Sequence, residues 1–145
     1  MSRKDNAVTI FNGGYNCCQS GLGAFCEEQG LERETAFTIA TGFGAGCRRG
    51  EVCGAVSGAL MVLGLKYGFS DSGDEEKKNG AYLKIKDFTD RFEALHGTVT
   101  CKGILGYDIS KEDEYIIIKE KDLFRSICAG VVEDATGILE DMLDG

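Results

Sequence analysis

Apolar side chains recur at helical spacing along most of the chain. Segment 53–68 is the clearest case, because Val56, Leu60, Leu63 and Tyr67 follow the i, i+4, i+7, i+11 spacing of one helix face. Similar spacing over residues 81–95 and 127–143 predicts two further helices nearer the C-terminus. Apolar residues also predict a short opening helix over residues 4–12. A second helix should begin after Asn16, a good N-cap residue, and run to about residue 28.

Two further segments near the C-terminus bear on the predicted fold. Residues 115–118, Tyr-Ile-Ile-Ile, have strand-like propensity, although the acids and Ser110 before them favour a helix start. Ser126 is the predicted N-cap of the last helix. The sequence therefore predicts an all-α fold, a single-domain helical bundle over residues 1–145.

The predicted helix 53–68 carries almost no side chain on its first two turns. Gly54, Ala55, Gly58 and Ala59 occupy these turns, and each glycine costs about 1 kcal/mol of helix stability relative to alanine. Close approach of another backbone or of a ligand is the usual reason for such a surface. We therefore expect this glycine-rich helix to lie at the centre of the bundle, with Gly68 as a left-handed C-terminal cap.

Composition agrees with a globular domain and excludes some partners. Of 145 residues, 43% are hydrophobic and 28% are charged; there are 21 glycines and no proline, which suits an all-helical chain. The formal net charge is −8. Nucleic acid and anionic membranes are therefore not expected as partners, since both attract basic surfaces.

The localisation expected from the sequence is cytoplasmic. No apolar segment of a secretory signal follows the first five residues, and the longest apolar run, residues 55–65, is shorter than the roughly 20 residues that cross a bilayer. Seven cysteines in a reducing compartment do not predict a structural disulfide framework. Metal binding, redox chemistry and simple burial remain as explanations.

Four cysteines share a position at predicted helix starts. Cys17 follows Asn16, Cys53 opens the glycine-rich helix, Cys101 follows a threonine, and Cys128 comes soon after the predicted cap of the last helix. We call these four the helix-start cysteines. The positive end of a helix dipole favours a thiolate, so a lowered pKa is expected for each. Helix starts gathered in one place would form a positive pocket.

The helix-start cysteines and the glycine-rich segments, taken together in this order, form a more specific pattern than any one of them alone. The relevant segments are Gly14–Cys17, Gly42–Gly46, Cys53–Gly58, Gly64–Gly68, Cys101–Asp108 and Cys128. With them the chain resembles the redox-active family named for its C_GCAxxG_C_C cysteine pattern. The resemblance covers nearly the whole chain and implies a small helical protein whose four pattern cysteines are the helix-start cysteines. The chain departs from that pattern at Ala129, where proline is expected.

The remaining cysteines and the single histidine have simpler interpretations. Cys18 lies on an apolar stripe and is expected in the core, whereas Cys26 falls at the polar edge of the same helix. Cys47 precedes two arginines, which would lower its pKa, so it is a candidate for a fifth redox or ligand thiol. His96, beside Phe92 near a helix end, is expected to pack or to cap rather than to ligate.

Two chemical functions fit the helix-start cysteines. In the favoured function they are the catalytic residues of a thiol redox protein, which as an enzyme would be a thiol–disulfide oxidoreductase. The protein would exchange dithiol and disulfide or transfer electrons, and it would need no cofactor. Its partner would be a redox protein or a small thiol. In the alternative, Cys17, Cys53, Cys101 and Cys128 ligate zinc or an iron–sulfur cluster. A structural or partner-binding helical module with buried cysteines is the third possibility.

Both chemical functions require the helix-start cysteines to meet in the folded chain. They are far apart in sequence, so only tertiary packing can unite them, whereas Cys18 and Cys26 should lie outside the shared site. A disulfide needs Cα atoms about 4.4–6.8 Å apart. Cys17 and Cys53 are the first candidates for a close pair. Only one helix, predicted to start near residue 32, separates the helices that they begin, and both of these begin after glycine-containing turns.

Overall fold

Helix α4, Gly54–Tyr67, lies at the centre of the fold because its apolar and small residues allow it to be packed on several sides. Val56 and Leu63 are fully buried, and so are Ala55 and Ala59 on the small-residue side. The helix packs against the helices over residues 17–25, 75–96 and 128–144. The predicted bundle around a central glycine-rich helix is therefore confirmed.

A computed structural model describes residues 2–144 of the chain. Those residues form an all-α fold with no β-strand, apart from one isolated bridge between Val52 and Thr100. The α-helices are α1 (Arg3–Asn12), α2 (Cys17–Phe25), α3 (Arg33–Ile39), α4 (Gly54–Tyr67), α5 (Glu75–His96), α6 (Cys101–Leu105), α7 (Glu112–Glu120), α8 (Leu123–Ser126) and α9 (Cys128–Asp144). None of the helices in this described part combines the length and apolar character needed to cross a membrane.

Several helix ends follow the predicted capping chemistry. Asn16 caps α2 through a capping box, in which its side chain accepts from the Gln19 amide and the Gln19 side chain accepts from the Asn16 amide. The Thr100 hydroxyl accepts from the Gly103 amide and caps α6. Gly97 and Gly106 end α5 and α6 in the left-handed conformation.

Other predicted caps are wrong. Gly68 is extended (φ −68°, ψ 164°) and not left-handed, although its amide still donates to the Gly64 carbonyl. Ser110 caps no helix, because its amide and hydroxyl both donate to Asp108. Ser126 is the last residue of α8, so α9 begins after it, at Cys128. Helix α2 ends at Phe25, followed by a 3-10 turn over Glu27–Gln29.

The β-branched run at residues 115–118 is helical and lies within α7. Three acids, Glu112, Asp113 and Glu114, occupy the first turn of this helix and interact favourably with its dipole. Ile118 is completely buried against the core. Burial and the acidic first turn therefore outweigh the local strand propensity.

Candidate functional site

The structure places each helix-start cysteine at the beginning of a helix, as the sequence predicts. Cys17, Cys101 and Cys128 are the first residues of α2, α6 and α9, and Cys53 is the N-cap of α4. All four side chains are buried, with between 6% and 9% of each residue exposed. All seven cysteines of the chain are free thiols.

These four thiols line one cavity of about 260 Å³. Most of the remaining lining is apolar and is contributed by Phe11, Ile104, Leu105, Phe124 and Val131. Cys18, Cys26 and Cys47 do not line it. The tertiary fold thus brings together the four cysteines that the sequence analysis groups and leaves the other three outside. Their catalytic role remains a prediction.

Close packing of α2 against α4 brings Cys17 to the start of α4. A Cβ atom added at Gly54 would lie 3.0 Å from the Cys18 amide nitrogen and 3.1 Å from the Cys17 Cβ. One added at Gly58 would lie 2.8 Å from the Cys18 carbonyl oxygen. Such distances are too short for any residue other than glycine unless the helices move apart. The two glycines are therefore the reason that Cys17 and Cys53 share a cavity.

A short antiparallel backbone contact brings Cys53 to Cys101. The Cys53 amide donates to the Val99 carbonyl (2.8 Å), and the Cys101 amide donates to the Glu51 carbonyl (2.7 Å). These bonds flank the bridge between Val52 and Thr100. In such a pairing Cys53 and Cys101 are diagonal neighbours on one face, where Cα atoms are about 7–8 Å apart. The two loops that precede α4 and α6 are thus joined by backbone hydrogen bonds.

The loop before α4 contributes a strained wall to the cavity. Ala45, Gly46, Cys47 and Arg48 all have positive φ values, of 54°, 62°, 59° and 63°. For residues other than glycine this left-handed conformation costs roughly 1–2 kcal/mol each. Ala45 and Arg48 line the cavity, and Arg48 is exposed to solvent. The strain therefore lies next to the cysteines, where backbone strain is often functional.

Burial is the main influence on the pKa of two of the cavity thiols. It raises the pKa of Cys53 to about 11 and the pKa of Cys101 to about 12. The amides of Ala55 and Val56 at the start of α4 do lower the pKa of Cys53, but burial outweighs them. The expectation of a lowered pKa at each helix start is therefore wrong for these two cysteines, and it is also wrong for Cys17, whose pKa is raised well above its ordinary value.

Cys17 and Cys128 behave as an interacting pair. A polar interaction with the Cys128 thiol is the largest influence on Cys17 and raises its pKa well above the ordinary value, and burial adds to this effect. The same interaction lowers the pKa of Cys128 although burial opposes it. Cys128 is therefore the more acidic thiol of the pair. Cys128 therefore influences Cys17 more strongly than does Cys53, the first candidate from sequence, and the pairing itself stays a prediction.

These opposite shifts predict a site-selective reaction with an alkylating reagent. In reduced protein with the exposed Cys47 replaced by serine, Cys128 should be labelled first near neutral pH, because the thiolate is the reacting form. Labelling of Cys53 and Cys101 should increase only as the pH approaches about 11 and 12. Peptide mass spectrometry over a pH series measures both.

Cys26 is the internal control for this labelling series. It is buried away from the cavity, and burial raises its pKa, so it should stay unlabelled near neutral pH. Labelling of Cys53 or Cys101 as fast as Cys128 under these conditions would contradict the assigned thiolate.

The other candidates from sequence lie outside the cavity. Cys18 is fully buried in the core, as predicted, with its sulfur 3.9 Å from the Met61 sulfur. Cys26 is also fully buried, so its predicted place at a polar edge is wrong. Cys47 is exposed. His96 packs against the Phe92 ring, with centroids 4.5 Å apart, as expected of a packing residue.

Arg48 is the cavity residue that the sequence analysis assigned elsewhere. From the sequence, Arg48 is predicted to influence Cys47, its neighbour, but the structure shows that it lines the cavity. There its charge lowers the pKa of Cys101, although burial has the larger, opposite effect. Both residues lie in the left-handed turn, and of the two only Arg48 lines the cavity. Two arginines in a glycine-rich segment directly before a candidate cysteine were the available signal.

The described residues do not fit a metal site as they stand. Within residues 2–144, no three or more His, Cys, Asp or Glu side chains are arranged to hold a metal ion. The four thiols line one cavity, but no three of them are grouped closely enough to hold one metal ion.

Comparison with known proteins gives one match. The family model described as "Putative redox-active protein (C_GCAxxG_C_C)" matches residues 15–142, which is nearly the whole chain. No curated protein and no solved structure is similar enough to the chain to match.

Proposed function

The chain belongs to the C_GCAxxG_C_C family of redox-active proteins, and from this premise we propose that it exchanges thiols and disulfides with Cys17 and Cys128 as its working couple. The observation that carries the proposal is that both thiols line one cavity, where their interaction lowers the pKa of Cys128 and raises that of Cys17. Thiol exchange needs one thiolate and a second thiol close to it. Cys128, with its lowered pKa, is assigned the first role and Cys17 the second, in a cavity that can admit a small molecule.

The proposed reaction begins at Cys128. Its thiolate attacks one sulfur of a partner disulfide, the partner's S–S bond breaks, and the released sulfur leaves as a thiolate that takes up a proton. The Cys17 thiol then loses its proton and attacks the Cys128 sulfur of the mixed disulfide. The second partner sulfur leaves and is protonated. Two electrons have moved from the protein dithiol to the partner, and a Cys17–Cys128 disulfide remains.

Cys53 and Cys101 are assigned a different part in this scheme. Their raised pKa values, about 11 and 12, keep them protonated near neutral pH, so they attack disulfides slowly. Their diagonal relation across the backbone bridge corresponds to Cα atoms about 7–8 Å apart, beyond the usual disulfide range of about 4.4–6.8 Å. They should therefore stay reduced while the working couple is oxidised.

A cytoplasmic location suits this chemistry. Reducing compartments keep thiols free, and the structure has all seven cysteines as free thiols. In that setting a disulfide formed in one turnover can be reduced by the cellular thiol pool.

The test of this function is a thiol and metal inventory of protein purified without oxygen. Oxidation with diamide, a thiol oxidant, should remove two of the seven free thiols and give one cross-linked peptide pair, Cys17–Cys128. Metal analysis and visible absorbance are recorded on the same sample. Stoichiometric zinc or iron, or visible charge-transfer bands, would favour the metal alternative. A cross-link that does not contain Cys128 would overturn the assigned couple.

A further inference from the structure

Resting on the proposed thiol exchange, we propose that the cavity selects a small disulfide that has an apolar body and one anionic group, the anionic group bound by Arg48. The proposal names the substrate class of the site. It follows from three properties of the cavity: its size, the chemistry of its wall and the charge at its rim.

Size and wall chemistry favour a small apolar ligand. The volume of about 260 Å³ lies just below the range of about 300–1,000 Å³ that is typical for drug-sized ligands. Besides the thiols, the wall is formed mainly by aromatic and aliphatic side chains, among them Phe11, Phe124 and Ile104. A folded protein domain cannot enter such a space, whereas a small molecule with a hydrocarbon body gains from burial there.

The rim adds a positive charge. Within the described residues 2–144, Arg48 is the one charged residue that lines the cavity, and it forms no salt bridge or side-chain hydrogen bond there. The nearby Asp108 does not line the cavity and already accepts hydrogen bonds from the Ser110 amide and hydroxyl. The guanidinium group is thus available to a carboxylate or similar anion.

Position makes this charge relevant to the reaction. Arg48 acts electrostatically on the Cys101 thiol inside the cavity, so its charge reaches the sulfur atoms. Tyr15 and Arg48 are both exposed residues that line the cavity, which places the opening on their side. A ligand entering there would leave its anionic end at Arg48 and carry its disulfide inward to the thiols.

The probe for this inference is lipoate, a cyclic disulfide with an aliphatic chain that ends in a carboxylate. Lipoamide is its matched control, because it has the same ring and chain without the charge. Reduced protein should convert lipoate to the dithiol, with formation of the Cys17–Cys128 disulfide, at a lower apparent KM than lipoamide. Loss of one charge-assisted contact should change this preference about tenfold, equivalent to about 1.4 kcal/mol.

Variants identify the residue responsible. Arg48→Gln should raise the apparent KM for lipoate and so abolish the preference for lipoate over lipoamide. Arg48→Lys keeps the charge and should retain most of the preference. That result would show that the loop tolerates substitution. Arg49→Gln changes the neighbouring exposed arginine, which does not line the cavity, and should behave as the wild type.

Two failures are distinguishable. If diamide forms the Cys17–Cys128 disulfide but lipoate is no better than lipoamide, or if Arg48→Gln retains the preference, the substrate inference is wrong while thiol exchange stands. If diamide fails to form that disulfide, the proposed function itself is wrong.

Discussion

Replacing Cys128 by serine is expected to abolish reaction with disulfides at the cavity. The change removes the thiolate that starts the exchange, and a serine hydroxyl stays protonated and is a far weaker nucleophile. The reaction is followed near neutral pH through the coloured thiol released from a chromogenic aromatic disulfide. The exposed Cys47 is replaced by serine in every sample, so that its thiol does not contribute.

Two companion variants complete this experiment. Cys17→Ser keeps a hydroxyl that can still donate a hydrogen bond to Cys128 but removes the resolving thiol, so a mixed disulfide on Cys128 should accumulate and be visible by mass spectrometry. Cys26→Ser changes a buried thiol outside the cavity and should leave the rate unchanged. A Cys128→Ser protein that reacts at the rate of its parent, or a Cys53→Ser protein that does not react, would contradict the assigned roles.

Replacing Gly58 by leucine is expected to cost several kcal/mol of unfolding free energy or to prevent folding. The added Cβ would lie 2.8 Å from the Cys18 carbonyl oxygen and 3.2 Å from its Cα. Both atoms belong to the backbone of α2, so no side-chain rotation relieves the overlap. Overpacking of a core typically costs about 1–3 kcal/mol, and the full leucine side chain adds to that. Urea denaturation followed by circular dichroism measures the change.

Gly64 supplies a matched control in the same helix. Nothing lies within 4 Å of a Cβ added there, and the residue is exposed. Gly64→Ala should therefore raise the unfolding free energy by about 1 kcal/mol through helix propensity, whereas Gly58→Ala should lower it. Equal stability of Gly58→Leu and the parent protein would mean that α2 and α4 do not approach closely at this position.

Local chemistry explains why much of the fold could be predicted from sequence. Asn16 and Thr100 have the short polar side chains that cap helices, and both do so. Gly54 and Gly58 show by their spacing that a small helix face exists. The starts of α2, α4 and α6 follow from these signals. Because the helix-start cysteines occupy those positions, the candidate site could be predicted as well.

What could not be predicted depends on tertiary contacts. Burial sets the pKa values of Cys53 and Cys101, and the extent of burial at a helix start is not a property of local sequence. The thiol that most influences Cys17 depends on how the start of α9 meets that of α2, so local sequence favours Cys53 although Cys128 has the larger effect on the Cys17 pKa. The direction of Arg48 depends on a left-handed turn that its residue types do not favour.

The left-handed turn of residues 45–48 also affects how quickly the buried thiols can be reached. Release of Ala45 and Arg48 from positive φ would return roughly 1–2 kcal/mol for each residue, which offsets part of the cost of moving this wall of the cavity. Entry and exit of a substrate should therefore be gated by the turn, while α2 and α4 stay packed through Gly54 and Gly58. Such loop motions occur on the microsecond to millisecond scale, and this is the time scale expected for access to the buried thiols.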